Sequence, residues 1–285
     1  MLGPGPADPL SAGSAVDIRS ILVHLDATPA SLERHALAHA LADRFDAQVT
    51  VLFGVAEVAQ PTFVYSAAAA MRAVEEMSDG PAEIARAQLH AAQRERGGTW
   101  CDVGRDLLPA LVAEAAYADL VIVGPPARSH DAGSAPPGFV ELSILQSGTP
   151  TLVVPHPHRQ ETLGDRVLIA WDGSVPAARA VKSALPFLRS ASQVHVASWS
   201  RQPALAPCSR LGLAEWLQRH DVSVTPHSRN STANVGGAIC ALARELEVDL
   251  IVMGCYGHPP LRERLFGGAT RSVLASLPAP VLTSH

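Results

Sequence analysis

The second half of this 285-residue chain restates the first, and that repeat limits the possible folds more than any other feature. Ile21-Leu-Val-His-Leu-Asp26 is answered by Val167-Leu-Ile-Ala-Trp-Asp172, each an apolar strand ending in an aspartate. A helix start follows each time. Thr28 and Pro29 supply a cap hydroxyl and a first-turn proline in the first copy, Ser174 and Pro176 in the second. Gln48-Val-Thr-Val-Leu-Phe53 matches Gln193-Val-His-Val-Ala-Ser198. Asp119-Leu-Val-Ile-Val-Gly124 lies over Asp249-Leu-Ile-Val-Met-Gly254, and Thr149-Pro-Thr-Leu-Val-Val-Pro155 over Ala279-Pro-Val-Leu-Thr-Ser284. The copies stand 146 residues apart at Asp26 and Asp172 but 130 apart at Gly124 and Gly254, so the second is 16 residues shorter. The excess falls after the second strand, where Pro61 to Pro81, with the small-residue run Ser66 to Ala70, reads as a surface excursion.

Each copy therefore reads as five strands alternating with four helices. That alternation predicts a parallel sheet covered on both faces and built by right-handed crossovers. The polar, proline-containing stretch Pro155-His-Pro-His-Arg-Gln-Glu-Thr-Leu-Gly164 separates the copies. The expected organisation is a flexible extension over 1–17, a first domain over 18–156, a linker over 157–164 and a second domain over 165–285. Two like domains on one chain are expected to pack as an intramolecular pseudo-dimer, with a further homodimer open.

Composition removes several function classes. Hydrophobic residues make up 47% of the chain and charged ones 17%, enough to bury two ordinary cores. A net charge of −5 gives no general attraction to nucleic acid or anionic membrane, and no run approaches the length of a transmembrane helix. The first 17 residues lack a basic start and an apolar core, unlike a signal peptide. Cys101, Cys208, Cys240 and Cys255 follow no metal or redox spacing and read as reduced thiols, so a cytoplasmic location is expected. Lys182 is the one lysine, and no Gly-Lys-Ser/Thr phosphate loop is present, so any phosphate must be held by backbone amides or arginines.

The clearest ligand signal runs from Met253 to Thr270, between the strand Asp249-Leu-Ile-Val and the helical stretch Arg271-Ser-Val-Leu-Ala-Ser-Leu. Gly254 and Gly257 leave the strand, and Gly267 and Gly268 open the helix, where backbone N–H groups and the helix dipole suit a phosphate. In an open parallel sheet, ligands bind at the carboxyl ends of strands where the strand order reverses. Asp172, the strand end from Val196 to Ser198 and the glycine loop should meet there, with an adenosine between them and its phosphates running to the helix start.

This arrangement resembles the universal stress protein family, whose nucleotide-binding members carry Gly-x2-Gly-x9-Gly-Ser/Thr. Gly254, Gly257 and Gly267 fit that spacing, while Gly268 stands where Ser or Thr is expected. The likeness covers nearly all of the chain after residue 17 as two tandem domains. It implies an α/β fold of two Rossmann-like (adenine nucleotide alpha hydrolase-like) domains, each a five-stranded parallel sheet in the order 3-2-1-4-5. It also implies that Asp172, Val196, Met253, Gly254, Gly257, Gly267 and Gly268 contact an adenine nucleotide, ATP or ADP, with or without magnesium. The expected role is a stress-response regulatory module with little or no hydrolysis. The rival is a nucleotide-free dimerisation or protein-interaction module of the same fold.

The first copy serves as an internal control. Ala127 falls where Gly257 sits, Pro137 at Gly267 and Gly138 at Gly268, and Pro125, Pro126, Pro136 and Pro137 remove backbone donors. Asp26 reads as a helix-start acceptor, so a nucleotide is expected in the second domain alone. His35 and His39, spaced for two metal ligands on one helix face, lack a third ligand nearby and read as surface or half-buried residues. His156 and His158 read as solvated linker residues. Arg262 and Arg264 read as a solvated basic face, and Asn234, Gly236 and Gly237 as ordinary helix-start residues. No Gly-x-Ser-x-Gly turn points to a nucleophile, and a Ser-Gly-Gly-x-Asp-Ser-like synthetase loop is absent after either first strand.

Overall fold

The computed structural model describes residues 17–55, 68–104, 106–126, 133–158, 163–199, 212–229, 234–255 and 268–285. The first half supplies β1 (Ser20–Leu25), α1 (Ala30–Phe45), β2 (Gln48–Phe53), α2 (Ala68–Arg96), β3 (Thr99–Asp102), α3 (Leu107–Ala115), β4 (Leu120–Val123), α4 (Phe139–Gln146) and β5 (Thr151–Val153). The second supplies β6 (Arg166–Ala170), α5 (Val175–Ser183), α6 (Leu185–Leu188), β7 (Gln193–Ser198), α7 (Leu213–Gln218), β8 (Thr225–Ser228), α8 (Val235–Glu245), β9 (Leu250–Gly254), α9 (Ala269–Ser276) and β10 (Val281–Ser284).

All ten strands join one sheet in the order β3-β2-β1-β4-β5-β10-β9-β6-β7-β8. Each half thus has the order 3-2-1-4-5 that the family resemblance implied. The registers repeat as well: Ile21 pairs with Leu120 as Val167 pairs with Leu250, and Val121 pairs with Thr151 as Ile251 pairs with Val281. Every ladder is parallel except the central one, where Thr151 faces Thr283, Leu152 faces Leu282 and Val153 faces Val281. Leu152 and Leu282 are equivalent positions, so this antiparallel pairing is symmetric about them.

The uninterrupted β-branched and leucine runs of β4 and β9 are what a strand covered on both faces requires. One face packs under α1, α2, α5, α6 and α7, where Leu37, Leu41, Leu89, Phe187 and Leu217 form the core. The other packs under α3, α4, α8 and α9, with Leu111, Phe139, Ile239 and Val273. A repeated device fastens the central strands: Asp119 accepts from the backbone N–H groups of Arg19 and Ser20, and Asp249 from those of Asp165 and Arg166. Arg44 of α1 reaches the other half, donating to the Leu163 carbonyl and the Ser190 hydroxyl, while Phe45 meets Phe187 edge to face at 5.1 Å.

Three expectations change. The excursion after β2 carries a 29-residue helix, α2, that runs through Pro81. Its later turns are anchored by buried Leu89 and Gln93, and this tertiary support outweighs the single backbone bond that a proline removes. His35 and His39 are buried, with both Nε2 atoms on Gln93 Oε1 at 2.8 and 2.9 Å, so their helical spacing serves packing of α1 on α2. His156 and His158 lie against α1, where Glu33 accepts from the His158 backbone N–H at 2.7 Å and bonds His156 Nδ1 at 3.1 Å. The N-terminal extension lies outside the described residues, apart from Asp17.

Candidate functional site

The two halves treat their first-strand aspartates in opposite ways. Asp26 follows β1 and is buried, 6% exposed. Its Oδ1 accepts from the hydroxyls of Thr28 and Ser31 at 2.5 and 2.7 Å, and Arg34 Nη2 stands 3.1 Å away. Thr28 therefore spends its hydroxyl on Asp26 and does not cap α1, contrary to the sequence expectation. Arg34 is itself buried, donating from Nε to the His24 carbonyl and from Nη2 to the Ser31 hydroxyl. Burial opposes ionisation of Asp26, but the Arg34 charge, His24 and the two hydroxyls together hold its pKa down to about 2.

Asp172, two residues beyond β6, is exposed. Its Oδ1 accepts from the Ser174 backbone N–H at 2.9 Å. Ser174 caps α5 through its own hydroxyl, as expected, accepting from Ala177 N–H at 3.2 Å. Ser174 stands where Thr28 does, but Ser31 and Arg34 have no polar counterparts here. At the spacing of the repeat, Ser31 corresponds to Ala177 and Arg34 to Ala180.

The same replacement extends across the strand ends. In the first half the His24 ring lies 4.7 Å from the Phe139 ring, and its Nε2 bonds the Gly54 carbonyl at 3.0 Å. Burial, and then Arg34, lower the His24 pKa to about 4 against the opposing pull of Asp26. The corresponding second-half residues are Ala170 and Ala269. An arginine, a histidine and a phenylalanine thus line one switch point where three alanines line the other. Overlaying the copies at their strand spacings finds this difference in the sequence alone, because each substitution is from a bulky side chain to alanine at a strand or helix end.

Of the expected contact residues, Asp172 and Gly254 reach the same edge of adjacent strands, just beyond the paired residues Ala170 and Met253. Met253 is buried on the α9 face. Val196 lies two residues before the end of β7, half-buried against the core on the α5 face and paired with Ile169. Gly257 and Gly267 lie outside the described residues. Gly254 has a structural reason to be glycine, since a Cβ there would stand 2.3 Å from the Ala177 backbone nitrogen. Gly236 has another, because its Cβ would meet the Ala269 carbonyl at 2.6 Å, so this glycine lets α8 approach α9.

Gly268 is the N-cap of α9, with φ −49° and ψ 148°, and no side chain among the described residues caps that helix. This backbone is open to any L-residue, so the glycine is not demanded by the turn. Arg271 stands exposed in the first turn of α9, where a cation is disfavoured by the helix dipole unless an anion joins it. Glu141 holds the equivalent position in α4, whose N-cap Gly138 has a positive φ of 78°. The second-half helix start thus carries a cation where the first carries an acid. Among the described residues, no group of three histidine, cysteine or acidic side chains could hold a metal. No described helix is long and apolar enough to cross a membrane.

A feature not foreseen in the sequence is a cavity of about 940 Å³ against the first-half switch point. His24, Asp26 and Arg34 line it on one side, the first turn of α4 on another, and α9 from Gly268 to Leu277 closes it from the second half.

Residues 164–285 match the family model described as the universal stress protein family. No curated protein matches the chain in sequence. Among solved structures, a universal stress protein from Archaeoglobus fulgidus is 19% identical, with 94% of this chain and 96% of that one aligned at a TM-score of 0.70. A Pseudomonas aeruginosa protein named for the same family is 18% identical, with 94% and 93% aligned at a TM-score of 0.56. At these identities the likeness is one of fold, and it spans both halves. The C-terminal half of this chain is therefore a universal stress protein domain, and the N-terminal half repeats its fold in tandem.

Proposed function

We propose that the C-terminal half binds one adenine nucleotide, ATP or ADP, at the edge formed by Asp172, Gly254 and the start of α9, and that the chain acts as a stress-response regulatory module. The observation that carries this reading is the contrast between the aspartates: Asp26 is enclosed by Arg34, while Asp172 is exposed. An exposed carboxylate at a switch point is placed to accept from ribose hydroxyls. The uncapped α9 start offers backbone N–H groups to phosphate, and Arg271 adds positive charge. Val196 and Met253 are the apolar neighbours proposed for the base and sugar. Gly257 and Gly267 complete the proposed set through their spacing.

Hydrolysis is proposed to be slow or absent, because among the described residues no side chain beside Asp172 is arranged as a base toward an attacking water. With bound nucleotide, magnesium would be held chiefly by the phosphates, as often happens for this ion. Equilibrium titration of the purified chain with ATP, ADP and AMP tests the reading. Saturable binding is expected, and Gly268→Ser should strengthen it by about tenfold, because the backbone there accepts serine and its hydroxyl adds a bond to a charged oxygen. No saturation with millimolar nucleotide would leave the nucleotide-free interaction module as the better account.

A further inference from the structure

β8 is an edge strand of the sheet, and little of it is buried. Thr225, Pro226 and Ser228 are exposed, and Pro226 has no N–H to give the ladder. Its inner contact is a pair of histidines. Thr225 pairs with His195 and His227 with Ala197, and alternate residues of a strand share a face, so His195 and His227 are diagonal neighbours under α8. His195 Nδ1 lies 3.1 Å from His227 Nε2, with the ring centroids 5.1 Å apart. At the same registers the first half has Thr50 and Cys101.

The bond between the rings needs at least one of them neutral. One imidazole donates and the other accepts, and two protonated rings would set donor against donor. His195 is 8% exposed, and its Nε2 is buried with no hydrogen-bond partner among the described residues. A second proton on this ring would therefore create a buried cation without an acceptor for its Nε2–H. Arg166 of β6 adds a positive charge nearby, and its Nε is likewise buried without a partner among the described residues. The carboxylates beside the neighbouring arginines are already engaged. Glu247 holds Arg166 at 3.3 Å, Glu245 at the end of α8 holds Arg229 just past β8 at 3.4 Å, and Asp249 accepts from the Asp165 and Arg166 N–H groups. Arg244 of α8 donates to the Ser276 hydroxyl of α9. Burial, and then His227 and Arg166, lower the His195 pKa from its ordinary 6.5.

We propose that the His195–His227 pair is an acid-sensitive latch on the edge strand, in which His195 takes up an extra proton only when β8 parts from β7. Because the open state alone binds that proton, closure of β8 is fully favoured above about pH 6.5 and loses ground as pH falls. The latch lies within the second half and does not depend on nucleotide binding at Asp172.

Native-state amide exchange of the full chain tests it, read at β8 and at the Arg229 N–H, which bonds the Ser198 carbonyl at 3.2 Å. From about pH 7 to about pH 5, protection factors there should fall by at least about fivefold, while those of β3, the edge without the pair, change by less than about twofold. His195→Asn keeps a side-chain amide for His227 but cannot titrate, so β8 protection should stay within about twofold over the same range. Protection of β8 unchanged with pH in the native chain, an equal fall in β3, or an equal fall in His195→Asn would overturn the proposal.

Discussion

Asp26 and Asp172 occupy the same place in the same turn, yet their neighbours give them different chemistry. Burial of Asp26 is tolerable because Arg34 and two hydroxyls satisfy its carboxylate, and removing the arginine would leave a buried charge unpaired. His24 adds a pH dependence. Its folded pKa of about 4 lies below the ordinary 6.5, so between these values the unfolded chain binds a proton that the folded chain refuses. The His24 contribution to stability is therefore complete above the unfolded pKa and is lost as pH falls toward 4. The lowered pKa of Asp26 continues the loss in the same direction at more acidic pH.

Replacing His24 with glutamine, which can still donate to the Gly54 carbonyl, should flatten the decline in stability between pH 6.5 and pH 4 by up to about 1.4 kcal/mol per pH unit. Urea unfolding of both proteins across that window measures the difference; equal slopes would mean that His24 is not held neutral. His35 and His195 also have lowered pKa values, mainly through burial, so the variant comparison is needed to isolate His24.

At the scale of elements, close packing explains several residues that the sequence offered as ligands. Gly254 belongs to the spacing that suggested a phosphate loop, yet it is also the point where β9 meets the α5 backbone. The motif was legible because spacing survives in a sequence; the packing role was not, because α5 begins almost eighty residues earlier. The histidine pair teaches the same lesson. Its i, i+4 spacing shows that two rings share a face of α1, but their partner Gln93 lies in α2, within the part of the chain that varies most between copies. Gln93 also donates to the Gly97 carbonyl at 3.1 Å, so it ties the end of α2 to α1. Gln93→Leu should cost roughly 2–4 kcal/mol of stability, because two buried ring N–H groups lose their acceptor while volume is nearly kept. Denaturant unfolding at neutral pH checks this, and a loss below about 0.5 kcal/mol would show that the pair finds other acceptors.

The whole molecule is one sheet made of two copies. Five parallel strands per copy were legible because apolar runs alternate with helices and the repeat displays that alternation twice; the strand order came through the family resemblance. The central join uses Thr151-Leu-Val against Val281-Leu-Thr, and its symmetry about Leu152 and Leu282 follows from the equivalence of the copies. The cavity was not legible, since its walls come from helices that approach only after both halves pair. The enclosure of Asp26 leaves no mark in motif spacing and shows only when the copies are overlaid, bulky residues in one against alanines in the other. The central contrast is that one switch point leaves its carboxylate, Asp172, exposed, while at the other Arg34 engages Asp26 and His24 and Phe139 take the place of alanines. Calorimetric titration with ATP of the native chain, Asp172→Asn and Ala269→Phe tests this most directly. One nucleotide per chain is expected, with affinity weakened about ten- to a hundredfold in Asp172→Asn and at least as much in Ala269→Phe, whose ring reproduces Phe139. Two nucleotides per chain, or binding unchanged in both variants, would contradict it.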